Sequence, residues 1–185
     1  MREVDEQLEF AQQITSRLET AGIPYMMTGS MAMAIYAVPR MTRDIDLVIE
    51  CEPGDSQRIV DLFEADCYVN REQIHEALTA RSMFNIIHNE WVLKADFIVR
   101  KDEQYRRLEF SRRRKFEVRG TTIWVVAPED LILSKMQWSK KTASQLHAQD
   151  VKTLLQSIPD LDRSYLEEWA RVLGLADLLE ELRKK

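Results

Sequence analysis

Two aspartates, Asp44 and Asp46, stand one residue apart in the run DIDLVI. This short apolar run is typical of a β-strand, in which alternate side chains point to opposite faces of the sheet. Both carboxylates therefore share one face, and the isoleucines and leucine share the other. Neighbouring carboxylates repel each other unless a cation or hydrogen-bond donors compensate them, and hard divalent cations prefer oxygen ligands of this kind. The pattern predicts a magnesium site.

A Gly-Ser pair precedes this strand at Gly29 and Ser30, between the apolar residues 25–27 and the helix-like run 31–36. A helix that begins here presents free backbone N–H groups and the positive end of its dipole, which favour an anion such as a phosphate. Glycine lets the backbone approach a ligand closely, and serine adds a hydroxyl group. We therefore expect a phosphate-binding helix start beside the paired carboxylates.

The string TGSMAMAIYAVPRMTRDIDLVI, residues 28–49, resembles the Gly-Ser and Asp-x-Asp signature of the DNA polymerase beta-like nucleotidyltransferase superfamily. It is similar to the small prokaryotic nucleotidyltransferases of the AbiEii type and their uncharacterised relatives. The resemblance implies an α+β fold: a nucleotidyltransferase-like mixed sheet flanked by helices, with a C-terminal helical bundle. It also implies metal-dependent transfer of a nucleoside monophosphate from a nucleoside triphosphate (NTP), with two Mg²⁺ ions, or Mn²⁺ in their place.

The resemblance leaves the acceptor open between RNA, protein and a small molecule. A toxin that pairs with a cognate antitoxin is one function within this range. The alternative is a non-catalytic nucleotide-binding or protein-interaction module that keeps the same fold.

Asp96 is the candidate for a third carboxylate. In the predicted strand 91–99, apolar residues alternate on one face while Lys94 and Asp96 share the other. A surface-facing Lys-Asp strand accounts for the same pattern. Because the resemblance implies a third acidic ligand on a later neighbouring strand, we predict that Asp96 completes the metal site with the first two aspartates.

Three basic residues are further candidates for nucleotide binding. Arg40 and Arg43 closely precede the first aspartate, and they either contact substrate phosphates or only offset the acidic charge. Lys135 lies in segment 129–136, which resembles a helical element whose lysine faces the nucleotide phosphates in the relatives. A lysine on a helix surface is the alternative. Asp150 resembles the acid of the family's helical Lys-Asp or Arg-Asp element, but no basic residue directly precedes it, so its role stays open.

The chain of 185 residues fits one domain or a domain with a helical extension, and 45% hydrophobic with 31% charged residues is typical of a globular protein. The first residues lack the apolar segment of a secretory signal, and no apolar run is long enough for a membrane span. A cytoplasmic protein without a membrane partner is therefore expected. Cys51 and Cys67 lack zinc-site spacing and are predicted to be ordinary thiols.

The net charge of −5 conceals a basic segment at residues 100–119. Positive charge concentrated in an acidic chain indicates either contact with a polyanion or a charged, solvated strand edge that resists aggregation. The residues concerned are Arg106, Arg107, Arg112, Arg113, Arg114 and Lys115.

Apolar periodicity predicts the remaining elements. A first amphipathic helix covers 4–18, and two hairpins join strands 83–88 with 91–99 and 112–118 with 121–126. Residues 1–127 are predicted to form the catalytic domain, and 128–185 a helical region packed on it. The predicted helices are 56–64, 72–80, 129–140, 144–157, 162–173 and 175–183.

Overall fold

The computed structural model describes residues 2–38, 42 and 44–184. Its strands form one seven-stranded sheet in the order β3-β4-β5-β2-β1-β7-β6. The pairs β2 with β5 and β1 with β7 are parallel, and the other neighbours are antiparallel. The predicted mixed, mostly antiparallel sheet is thus confirmed. The strands are β1 Tyr25–Thr28, β2 Ile45–Ile49, β3 Cys67–Tyr68, β4 Met83–His88, β5 Lys94–Val99, β6 Arg114–Val118 and β7 Thr121–Val125.

Nine α-helices lie within the described part of the chain, together with a 3₁₀ turn at Pro53–Asp55. Most begin and end within two residues of the predicted bounds, whereas α5 and the short β3 were not predicted. In α5 only two large apolar residues, Tyr105 and Phe110, are buried, so its apolar periodicity is weak. The helices are α1 Arg2–Thr20, α2 Gly29–Tyr36, α3 Ser56–Phe63, α4 Arg71–Ala80, α5 Gln104–Ser111, α6 Pro128–Thr142, α7 Gln145–Ser157, α8 Arg163–Val172 and α9 Ala176–Arg183.

One face of the sheet is the core. Ile45, Leu47 and Ile49 of β2 have no solvent exposure. Phe97 of β5 packs against a β4 ring and against Phe63 of α3, at a centroid distance of 5.6 Å for the latter. Burying these large side chains supplies most of the driving force for folding. The alternation predicted for β2 therefore holds, and its polar residues lie on the opposite face.

The hairpin between β4 and β5 differs from the prediction in its turn. The second strand begins at Lys94 rather than at residue 91, because residues 89–93 form a longer turn. Val92 has a positive φ of 52° and is 76% exposed, a conformation that cannot continue a strand. Trp91 stacks on His88 instead, with ring centroids 4.2 Å apart.

The C-terminal helices are joined to the rest of the chain. Helix α6 contacts α2, α7 and α8, and α9 contacts α7 and α8. Buried residues of the sheet and of these helices belong to a single hydrophobic cluster. The helical nature of this region is confirmed, whereas the division into two domains at residue 127 stays a prediction. None of the described helices is both long and apolar enough to cross a membrane.

The basic segment is not a uniform surface patch. Arg112 donates from Nε to Asp130 at 2.9 Å and from Nη2 to Glu129 at 3.1 Å, and both acids are almost completely buried in α6. Its guanidinium group also lies 3.7 Å from the centre of the Tyr165 ring. Arg106 pairs with the buried Glu109 at 2.7 Å. These arginines neutralise buried acids, so the polyanion hypothesis applies at most to the exposed members of the segment.

Candidate active site

A row of polar residues crosses the sheet on the face opposite the core. Asp46 of β2 and Asp96 of β5 occupy directly paired positions on parallel strands. Thr28 of β1 pairs with Asp46 on one side, and Asn85 of β4 pairs with Asp96 on the other. Paired residues of neighbouring strands point to the same face. The sheet therefore places the second and third predicted carboxylates side by side.

The first predicted carboxylate joins this row through a lysine. Asp44 stands immediately before β2, and Lys94 Nζ lies 3.5 Å from its Oδ1 atom. The same ammonium group lies 2.8 Å from Asp96 Oδ2. The Asp44 side chain is 55% exposed, whereas that of Asp96 is 11% exposed. Lys94, which the sequence suggested only as part of a strand pattern, thus links two of the three aspartates.

Asp46 experiences unfavourable electrostatics. Burial raises the pKa of its carboxyl group, and the negative charges of Asp96 and Asp44 raise it further. The positive charges of Lys135 and Lys94 act in the opposite direction without cancelling the rise. The three carboxylates therefore interact as one cluster whose negative charge is only partly compensated.

Gly29 touches this cluster directly. Its φ is +66°, and a Cβ atom built at this position would lie 2.0 Å from Asp46 Oδ2. Any larger residue would therefore displace the carboxylate, in addition to adopting an unfavourable backbone conformation. Helix α2 starts at Gly29, and Ser30 follows as a buried residue that is 8% exposed. The structure brings the Gly-Ser helix start and the aspartates together.

Lys135 is not a surface lysine, so that alternative is wrong. It is 3% exposed on α6, and its Nζ lies 2.7 Å from Oδ2 of the equally buried Asp150 on α7. The positive charge of Lys135 opposes the rise in the pKa of Asp46 without cancelling it. The pairing with Asp150 was missed because the sequence gives no sign of how α6 and α7 face each other.

Arg40 and Arg43 lie outside the described residues. Their proposed contact with phosphates remains a prediction from the sequence.

Within the part of the chain that the structure describes, no three His, Cys, Asp or Glu side chains are arranged to hold a metal ion as they stand. The chemistry of the aspartate cluster nevertheless fits Mg²⁺. Its donors are carboxylate oxygens, which this cation prefers. The ammonium group of Lys94 already lies between two of these carboxylates, those of Asp44 and Asp96. The residue types present therefore suit a divalent cation.

No protein-family model matches the chain, and no curated protein matches it. Solved structures do share its fold. An antigenic nucleotidyltransferase-like protein from Paracoccidioides brasiliensis has a TM-score of 0.57 at 15% identity, over 97% of this chain and 93% of that one. The protein ANT(2")-Ia, solved in complex with adenylyl-2"-tobramycin, has a TM-score of 0.61 at 14% identity, over 91% of this chain and 99% of that one.

The lincosamide antibiotic adenylyltransferase LnuA, solved with lincomycin, has a TM-score of 0.51 at 13% identity, over 83% of this chain and 95% of that one. At such identities the likeness is one of fold. The chain therefore has the nucleotidyltransferase fold, as the sequence predicted, and the narrower AbiEii resemblance stays a prediction.

Proposed function

We propose that this protein is a metal-dependent nucleotidyltransferase that moves a nucleoside monophosphate from an NTP to a hydroxyl group of an acceptor, with release of pyrophosphate and the hydroxyl proton. One observation carries the proposal: Asp46 and Asp96 stand side by side on the face away from the core, with the start of α2 pressed against Asp46. A phosphate-binding helix start and clustered carboxylates are what this reaction requires at one place. A module that only binds nucleotide does not need both the helix start and the clustered carboxylates.

Asp44, Asp46 and Asp96 are the residues that would hold Mg²⁺, with two ions expected and Mn²⁺ able to replace them. When bound, the metal supplies Lewis-acid stabilisation of the triphosphate and lowers the pKa of the attacking hydroxyl group. The rigid sheet fixes the backbone positions of the second and third aspartates relative to each other. Such fixed placement of reacting groups accelerates a bimolecular reaction by removing orientational freedom in advance.

The phosphates of the nucleotide would lie at the start of α2. Gly29 lets them approach the backbone N–H groups there, and the hydroxyl group of Ser30 stands at the same helix start. Lys135 adds a positive charge that Asp150 holds in position. A buried ammonium group of fixed orientation favours the charge that develops on the phosphate oxygens during transfer.

For the acceptor, the likeness to ANT(2")-Ia and LnuA, whose structures contain adenylyl-2"-tobramycin and lincomycin, supports a small molecule with a hydroxyl group. An RNA or protein acceptor, and a toxin with a cognate antitoxin, rest on the sequence resemblance alone. The acceptor is therefore best identified from its labelled product.

The test is to incubate the protein with each α-³²P-labelled NTP, MgCl₂ and a cell extract fractionated into RNA, protein and small molecules. We expect one fraction to become labelled from the α-labelled and not from the γ-labelled nucleotide. Asp46→Asn and Asp96→Asn should abolish the label, whereas Asp102→Asn, which alters an exposed acid outside the cluster, should retain it. Absence of label in every fraction, with MnCl₂ as well as MgCl₂, would favour the non-catalytic module.

A further inference from the structure

Lys94 lies between two of the three aspartates that are proposed to bind metal. Its ammonium group lies 2.8 Å from Asp96 and 3.5 Å from Asp44, and so it bridges a residue of β5 to the residue that leads into β2. The sheet register explains this placement, because Ile45, next to Asp44, pairs with Ala95, next to Lys94. The bridge is thus built into the backbone pairing of the two strands.

The two lysines near the carboxylates differ in their freedom to move. The Lys135 side chain is 4% exposed and pairs with a buried acid, so that its withdrawal would leave a buried charge without this partner. The Lys94 side chain is 39% exposed, and Asp44 beside it is 55% exposed. A long, flexible side chain of this kind can carry its charged end into water, and a divalent cation that takes its place keeps the largely buried Asp96 paired with a positive charge. Lys94 is therefore the displaceable cation of the site.

We propose that Lys94 is an internal counter-ion that takes the place of a divalent cation in the metal-free protein and competes with that cation for Asp44 and Asp96. This inference rests on the proposed function, because it presupposes that the carboxylates bind metal. It assigns Lys94 a defined effect: the residue holds the cluster together without metal and sets how much metal is needed to fill the site.

Two opposite consequences follow from this competition. Without Lys94, the carboxylates repel each other with less compensation, so the metal-free protein is less stable. A divalent cation then binds more tightly, because it no longer displaces an ammonium group from its two partners. A lysine that merely contributed to surface stability would produce the first effect without the second.

The experiment measures Mn²⁺ binding by the electron paramagnetic resonance signal of the free ion, without nucleotide and without turnover. Lys94→Met removes the charge and keeps the length of the side chain, and Lys94→Gln removes the charge and keeps a hydrogen-bond donor. Lys94→Arg keeps the charge. The matched control is Lys101→Met, which alters a 60% exposed lysine that is paired only weakly with Glu103, at 4.0 Å.

We expect Lys94→Met and Lys94→Gln to bind Mn²⁺ about tenfold more tightly than the unmodified protein, as removal of one nearby positive charge predicts. Lys94→Arg and Lys101→Met should bind Mn²⁺ as the unmodified protein does. In EDTA, thermal unfolding of the two neutral variants should occur at a lower temperature, and Mn²⁺ should raise it more than it raises that of the unmodified protein.

Two failures can be told apart. In the first case, the unmodified protein binds Mn²⁺ and Asp96→Asn abolishes that binding, but both neutral Lys94 variants bind Mn²⁺ no more tightly than the unmodified protein. The proposed competition is then wrong, whereas the metal site is still supported. If neither the unmodified protein nor the folded Lys94 variants bind Mn²⁺, even with an NTP present, the metal-dependent function fails and the inference fails with it.

Discussion

The Asp46 carboxylate lies so close to Gly29 that a single added methyl group would be 2.0 Å from its Oδ2 atom. The start of α2 and the carboxylate row of the sheet are therefore packed against each other with no space between them. Because the glycine also has a φ of +66°, two separate constraints require this residue type. Together they make Gly29 a sensitive probe of the site.

We expect Gly29→Ala to abolish binding of a metal-nucleotide complex, because the new methyl group pushes Asp46 away from its neighbours. The matched control is Gly22→Ala, where φ is +64° and nothing lies within 4 Å of the added Cβ. Backbone strain should lower the free energy of unfolding by about 1 kcal/mol in both variants, and the clash with Asp46 adds a further loss in Gly29→Ala. Isothermal titration calorimetry should show lost binding only for the first. Equal binding by both variants would contradict the contact's importance.

The raised pKa of Asp46 gives a second expectation for the metal-free protein. The folded state binds this proton more tightly than the unfolded chain, whose carboxyl keeps its ordinary value of 3.8. The group therefore stabilises the fold below that pH, and this stabilisation is lost as the pH rises through the folded-state pKa. The Asp46→Asn variant does not lose stability in this way, because asparagine has no carboxyl group to ionise.

In EDTA, urea unfolding of Asp46→Asn should give the variant a growing advantage over the unmodified protein between pH 4 and pH 7. The gain in stability should be accompanied by loss of nucleotide transfer. A stability difference between the two proteins that does not vary with pH would show that neither burial nor the neighbouring carboxylates raise the pKa of Asp46.

The buried pair of Lys135 and Asp150 separates a structural role from a functional one. Asp150→Asn should lower the free energy of unfolding by about 3 kcal/mol, because it leaves a buried ammonium group without its carboxylate. The double substitution Lys135→Met with Asp150→Leu should recover most of this stability, since apolar residues of similar volume replace the pair. Nucleotide transfer should nevertheless stay low in the double variant. Restored transfer would show that Lys135 acts only in folding.

The arginines of the basic segment should differ in their effect on stability. Arg112→Met leaves Glu129 and Asp130 buried with fewer positive partners, and we expect a loss of about 3 kcal/mol in chemical denaturation. Arg114→Met alters a side chain that is 53% exposed and 3.7 Å from Glu129, and should change stability by less than about 0.5 kcal/mol. Similar losses of stability in both variants would mean that the contacts of Arg112 with the two buried acids contribute no more than an exposed positive charge does.

Serine substitutions in the exposed part of the basic segment test the polyanion hypothesis. Filter binding of transfer RNA across a salt series should weaken when Arg114 and Lys115 are changed to serine, if the exposed part of the segment contacts phosphates. Unchanged binding, or none at low salt, would leave the charged strand edge as the explanation.

The sequence by itself determined the local features of this protein. The spacing of Asp44 and Asp46 in the strand-like run 44–49 was enough to place both on one face, because the side-chain period of a strand is fixed by backbone geometry. Gly29 and Ser30, just before the helix-like run 31–36, likewise located the start of α2. The C-terminal helix bounds followed from apolar periodicity.

The tertiary structure alone decided which distant side chains meet. Pairing of β2 with β5, on the edge of β2 away from β1, put Asp96 beside Asp46 and brought Lys94 between Asp44 and Asp96. Packing of α6 on α7 buried Lys135 against Asp150. These contacts depend on strand order and helix orientation, which no local pattern encodes, since a lysine has the same sequence context whether it ends in water or between two carboxylates.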